Sequence, residues 1–215
     1  MIALYVFVIA IAGAASHAVP VLDIVPRSKW KARPAAGVTA LRRPVPFVVV
    51  HHSYSPPACT APSECEASMR WMQDYHQINR SWWDIGYNFA VGGDGRAYEG
   101  RGWDAVGAHA PLYNNISIGV CVIGDWSDTA PPERQLETVQ NLIAEGVRAG
   151  YIAGDYKLVG HKQVRKGTQC PGDALYALIE AWPHYDSAPS LRVSSTTPTP
   201  PVENTETNRI RKRKA

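Results

Sequence analysis

The run Phe47-Val48-Val49-Val50-His51-His52-Ser53 decides the fold. Four apolar residues, three of them β-branched, follow a Pro-rich approach and stop at two histidines. Such a run is too short for a helix and reads as a strand buried on both faces, the habit of parallel sheets. Downstream, Pro62 and Ser63 open SECEASMRWMQDYHQ, in which Ser63 and Glu66 have capping-box spacing and Met69, Met72 and His76 recur at helical spacing. Tyr87–Val91 is a strand, GGDG a turn, and Arg96–Tyr98 the return strand of a hairpin. Ser117–Ile123 is a further buried strand. Pro131-Pro132-Glu133 starts a helix with Leu136, Val139, Leu142, Ile143 and Val147 on one face. Tyr156–Val159 is a short strand, and Gly172–Trp182 a last helix stopped by Pro183. The pattern predicts an α/β fold, a single domain with a central mixed β-sheet flanked by about three helices. No internal repeat is present.

Composition agrees with one globular domain. The chain has 215 residues, 45% hydrophobic and 19% charged, with 7 Trp and 10 Tyr to build a core, which excludes a chain disordered throughout. Four cysteines exclude a disulfide-dense miniprotein. The net charge of +3 misleads: residues 187–215 carry six basic and two acidic residues, leaving a body with a net of −1. A nearly neutral body argues against a nucleic-acid partner. Ile2–Ala12 is apolar without a break and is followed by the small residues GAASHA. It is too short to span a bilayer and fits the core of a secretory signal peptide cleaved after Ala18. The expected organisation is a signal peptide over 1–18, a folded domain over 19–186 and a Ser/Thr/Pro-rich tail over 187–215. A secreted, extracellular protein without a membrane span follows, expected to act as a monomer. The terminal RIRKRK suits an anionic surface, or no partner at all.

Secretion makes the cysteines informative. Cys59 and Cys65 lie six apart around a turn into a helix and can form a disulfide. Cys121 lies inside an apolar strand, where a free thiol acts as a small hydrophobe. Cys170 stands in the polar turn GTQCPGD and has two readings, a disulfide to Cys121 or a functional thiol. Histidine supports the second. His51 and His52 end one strand and His161 follows another, and strand ends are where open α/β sheets collect functional groups. Converging, His51, His161 and Cys170 make a His₂Cys set with a fourth position for water, the pattern of a catalytic zinc site. Spacing alone does not establish the convergence.

Taken together, FVVVHHS, MRWMQDYHQ, DIGYNFAVGGDGRAYEGRGW, GAHA, NNISIGVCVIGDW, LVGHKQV and TQCPGDALYALIEAWPHY resemble the peptidoglycan recognition proteins, a family related to the phage lysozyme-type zinc amidases. The resemblance runs from about Ile24 to Tyr185 in motif order. It implies Zn²⁺ held by His51, His161 and Cys170, with His51 favoured over His52. Non-catalytic members replace the cysteine, commonly by Ser; this chain keeps it. It also implies a catalytic Tyr87 and a catalytic-site Thr168 where phage enzymes carry Lys. The family reaction is hydrolysis of the amide joining N-acetylmuramic acid to L-alanine. Zinc lowers the pKa of bound water toward ~7 and polarises the carbonyl.

The same resemblance implies substrate contacts at His76, Trp82, Arg101, His109 and Asn114. Members preferring diaminopimelate-type peptidoglycan carry Gly-Trp before DIGY and Arg in YEGRGW. Here the pair is Ser81-Trp82 and the arginine is Arg101. A guanidinium binds the extra carboxylate of diaminopimelate through paired, charge-assisted hydrogen bonds. The ordinary alternative for Arg101 is a surface ion pair. The expectation is a secreted zinc amidase acting on bacterial peptidoglycan or muropeptides in innate immunity. The competing reading is a non-catalytic sensor that signals through protein partners.

Overall fold

The structure, a computed structural model, describes residues 22–191. The expected signal peptide and the tail beyond residue 191 lie outside the described residues. Residues 187–191 run outside helix and strand. No helix among the described residues is long and apolar enough to cross a membrane.

Six strands form one mixed sheet: β1 (Ile24–Val25), β2 (Val45–His52), β3 (Phe89–Val91), β4 (Ala97–Glu99), β5 (Ser117–Val122) and β6 (Ile152–Gly160). Their spatial order is β1-β4-β3-β5-β2-β6. Among the six described strands the β3–β4 hairpin is the one antiparallel pair; β3, β5, β2 and β6 run parallel side by side. The helices are α1 (Pro62–Asp74), α2 (Glu133–Arg148), α3 (His161–Val164) and α4 (Asp173–Ile179), with a π-helical turn over Tyr75–Asn79 continuing α1. The fold class is as expected, with departures in detail: β1 is not foreseen by the sequence pattern, β3 starts at Phe89 rather than Tyr87, and α4 ends at Ile179 rather than Trp182. The strand before His161 begins four residues earlier than its apolar content suggests, because Lys157 and Asp155 alternate outward along an edge strand. A fourth helix, the single turn α3, follows it directly.

The capping expectation for α1 is corrected. Pro62 occupies the first helical turn, and Glu64, not Glu66, folds back to accept the N–H groups of Thr60 and Ala61 at 2.9 and 3.1 Å. Pro has no N–H to orphan, so it fits the start of a helix better than Ser63 does. The Cys59–Cys65 disulfide closes across this start.

Side-chain alternation assigns the two faces of the sheet. Val48 and Val50 of β2, Ile118, Val120 and Val122 of β5, and Leu158 of β6 pack with Val139 and Leu142 of α2 and Leu175 and Ile179 of α4. The intervening positions face the other way. Phe47, Val49 and Val159 meet Ala110 and Tyr113, while Cys121 joins Met69 and Met72 of α1. That second face also holds His51, in register with Cys121.

Candidate metal centre and substrate cleft

Parallel register brings the histidines together. Val50 of β2 pairs with Gly160 of β6, and His51 pairs with Cys121 of β5. One step past Val50 and Gly160 stand His51 and His161, on the face of Val49 and Val159, with ring centroids 4.4 Å apart. His52 follows the opposite parity. It turns toward Trp126, whose N–H it accepts at Nδ1 (3.3 Å), and toward Asp125 at 3.7 Å. Period-2 alternation thus selects His51 over its neighbour.

Cys170 arrives on the loop between α3 and α4, anchored by the Lys162 N–H donating to the Cys170 carbonyl at 2.8 Å. Its Sγ lies 3.6 Å from His51 Nδ1. Candidate donor atoms of His51, His161 and Cys170 all lie within 4.8 Å of one another. A tetrahedral zinc with ordinary bond lengths separates its nitrogen and sulfur ligands by roughly 3.6 Å. Both ring nitrogens of buried His161 lack any hydrogen-bond partner. An orphaned buried imidazole costs on the order of 1–3 kcal/mol, which a metal bond would offset. The residues therefore fit a zinc ion. Cys121 and Cys170 are both free, so the alternative disulfide between them is not formed.

Burial sets the protonation of this set. It pushes His161 down to about 4 and His109 to about 3, and it holds His51 well below the usual imidazole range, with neighbouring histidines adding to the effect. Neutral imidazoles are the ligating form. Burial raises the Cys170 thiol to about 12, opposed by the His52 N–H that donates to Sγ at 3.3 Å. It also raises the Tyr87 phenol, so this hydroxyl stays a donor at neutral pH.

These residues floor a cleft of about 520 Å³. His76, Trp82, Tyr87, His109 and Thr168 line it as well. The π-helical turn lets His76 face inward, where its Nδ1 accepts the Gly86 N–H at 3.1 Å and its ring stacks on Trp82 at 4.8 Å. Thr168 Oγ1 accepts the Cys170 N–H at 3.2 Å. Asn114 does not line the cleft. Its Oδ1 accepts the N–H groups of His109 and Ala110, both at 2.8 Å, and so fixes the loop that carries His109.

Arg101 occupies a recess beside the cleft that shares Trp82 and Ala108 with it. Its guanidinium donates to the carbonyls of Ile85 (2.7 Å), Val106 (2.8 Å) and Asp84 (3.4 Å). A guanidinium has five donors, so two remain. No ion pair among the described residues involves Arg101, which removes the surface-pair alternative.

Three supporting residues escaped the sequence reading. Asp84 pairs with Arg27 at 2.9 Å and accepts from Gln73 and from the Ile85 N–H. Asn88, fully buried, ties the strap after β4 to β5. Gly119 leaves room for the His109 ring, which a Cβ there would meet at 2.4 Å. A glycine inside the apolar strand SIGVCV was the available signal for the last.

Known proteins share this sequence and fold. The family profile described as N-acetylmuramoyl-L-alanine amidase matches residues 41–173. Peptidoglycan-recognition protein LB of Drosophila melanogaster is 51% identical over 172 residues, covering 80% of this chain and 74% of its own length. N-acetylmuramoyl-L-alanine amidase of Mus musculus is 47% identical over 163 residues, 74% of this chain but only 31% of the mouse protein. The crystal structure of peptidoglycan recognition protein-LE in complex with tracheal cytotoxin, a monomeric diaminopimelic acid-type peptidoglycan, superposes with a TM-score of 0.74 at 41% identity, covering 76% of this chain and 95% of that one. With fold, profile and relatives in agreement across the described domain, the chain belongs to the peptidoglycan recognition proteins, within the N-acetylmuramoyl-L-alanine amidase family.

Proposed function

We propose that this protein is a secreted, monomeric, zinc-dependent N-acetylmuramoyl-L-alanine amidase acting on bacterial peptidoglycan, with a preference for the diaminopimelate type, in innate immunity. The observation that carries the reading is the cluster of His51, His161 and Cys170 on the cleft floor, with both His161 nitrogens unpartnered. Zinc bound there supplies a water acidified toward ~7 and a Lewis-acid contact for the scissile carbonyl.

The chain's own residues do the rest. Tyr87, kept protonated by burial, donates a hydrogen bond to the oxygen on which negative charge develops. Thr168 spends an acceptor lone pair on the Cys170 N–H, which leaves its proton for the substrate. That is an orienting role, since a hydroxyl lacks the charge of Lys. The stacked His76–Trp82 pair gives the cleft a flat wall for the stem peptide. Arg101, held by three carbonyls and free of any carboxylate partner, presents its two spare donors to the extra carboxylate of diaminopimelate. The complex of protein-LE with a diaminopimelate-type ligand supports the same preference.

The test is a digest of diaminopimelate-type and lysine-type peptidoglycan, followed by mass spectrometry with and without a zinc chelator. Zinc-dependent release of peptides with a free L-Ala amino terminus is expected, faster from the first substrate. Cys170→Ser should abolish release and keep muropeptide binding. Undiminished hydrolysis by that variant would overturn the metal assignment. Tight binding without release by the parent protein would make it a sensor.

A further inference from the structure

His109 stands behind the metal set. Its Nδ1 lies 3.0 Å from His51 Nε2, with the two rings nearly perpendicular at 84°. Two neutral imidazoles in such a contact share one proton, so one nitrogen is a donor and the other a bare acceptor. The direction of that bond decides which nitrogen of His51 is left with a lone pair.

Ser117, on β5, settles the direction. Its hydroxyl donates to the Tyr113 carbonyl at 2.7 Å, which commits its only proton. Toward His109 Nε2, at 3.5 Å, it presents a lone pair. His109 therefore carries its proton on Nε2 and accepts at Nδ1. His51 must then donate from Nε2, which leaves its Nδ1 unprotonated, and this is the nitrogen 3.6 Å from Cys170 Sγ. The reverse arrangement would place a proton on Nδ1 and close the position to a metal.

The ring that sets this direction is held rigidly. Asn114 pins the backbone at His109 and Ala110. On the ring's flanks, Gly107 and Gly119 lie so close that a Cβ at either would come within 2.4 Å of His109 Cδ2. Outer partners of this kind orient metal-ligating histidines and fix their tautomers, and their loss typically costs about 10–100-fold in metal affinity.

We infer that His109 is a positioning residue for the metal centre, holding His51 in the tautomer and orientation that offer Nδ1 to zinc, with Ser117 fixing the polarity of the chain. The inference rests on the zinc site proposed above and gives His109, which also lines the cleft, a role beyond the substrate contact that the resemblance implies.

The test uses the full mature protein and zinc alone as the probe. Asn places its Oδ1 close to where His has Nδ1, so His109→Asn keeps an acceptor for His51, whereas His109→Leu removes it. Competition against a chromogenic chelator should show His109→Leu weaker by about 10–100-fold and His109→Asn within a few-fold of the parent. Nitrogen-15 NMR of the zinc-free parent should report His51 as the Nε2–H tautomer. An Nδ1–H tautomer there, or Leu binding zinc as tightly as the parent, would overturn the inference. The tautomer measurement needs neither a folded variant nor bound metal. Failure of the parent to bind zinc at all would instead sink the amidase reading.

Discussion

Asn88→Ala tests how the site is supported from behind. Asn88 is fully buried and its side chain makes three hydrogen bonds. Nδ2 donates to the carbonyls of Gly102 and Ala105, each at 2.9 Å, and Oδ1 accepts the Gly119 N–H at 2.9 Å. Truncation leaves one N–H and two carbonyls without partners in a closed environment. Each orphan costs about 1–3 kcal/mol, and water entering the new void recovers part of that. The expected loss is about 3–5 kcal/mol, a large share of the stability of an ordinary domain. With a urea slope of about 2 kcal/mol per molar, the unfolding midpoint should fall by about 1.5–2.5 M, followed by tryptophan fluorescence. A shift below about 0.5 M would refute the claim that this amide carries the strap. Asn88→Asp sharpens the test. Its Oδ1 still accepts from Gly119, but the other oxygen faces two carbonyls and is tolerated only when protonated. The folded-state pKa of that carboxyl is therefore raised, and the native state holds a proton that the unfolded state loses above about 3.9. The variant's deficit against the parent should be smallest below pH ~4 and grow as pH rises. A deficit that shrinks with rising pH would contradict the bonding pattern.

Other perturbations address the remaining parts. Replacing Cys59 and Cys65 together by Ser should lower stability by about 2 kcal/mol through loop entropy, seen as a fall of about 4–8 °C in Tm by calorimetry. Arg101→Lys keeps one charge and loses the fork that grips three carbonyls; the ratio of kcat/KM for diaminopimelate-type over lysine-type muropeptides should drop about tenfold, and an unchanged ratio would remove Arg101 from selectivity. Gly119→Ala drives a methyl into the His109 ring and should weaken zinc binding in chelator competition by about tenfold or more, whereas parent-like affinity would mean the ring has room to move.

The site was more legible in the sequence than its support. His51, His161 and Cys170 stand out as strand-end and polar-turn groups, but only the resemblance joins them into one set, since spacing alone does not establish their convergence. Arg101 and Trp82 were visible only through resemblance, since nothing in YEGRGW or SWWD by itself says that the two share a recess. Asn114 shows what a loop asparagine can conceal. A loop asparagine that touches substrate and one that clips two backbone N–H groups look alike in sequence, and the clip, made here by Oδ1, depends on the fold. Asn88 was hidden because a polar residue in YNFAV reads as the solvent side of a strand, when it is the wholly buried joint between three segments. Such a joint depends on which backbone groups the tertiary fold leaves unpaired, and that is not a local property of the chain.

Register explains why the chemistry needs a parallel sheet at this place. β2 lies between β5 and β6, so His51 has Cys121 on one side and the exit of β6 toward His161 on the other. All three belong to the same parity, and that parity faces the cleft. A slip of one residue in β2 would carry its whole set of side chains to the opposite face. Val48 and Val50 would then leave the core they share with α2 and α4. At about 1.5–3 kcal/mol for each buried aliphatic side chain, the slip is disfavoured by several kcal/mol before any ligand binds. The position of His51 is thus set by valines that line none of the cleft. His52 lines the cleft too, but its Nδ1 is engaged, accepting the Trp126 backbone N–H. Packing thus fixes which of the two rings lies beside His161 and Cys170, and the candidate metal site takes its geometry from the hydrophobic register of the strand before it.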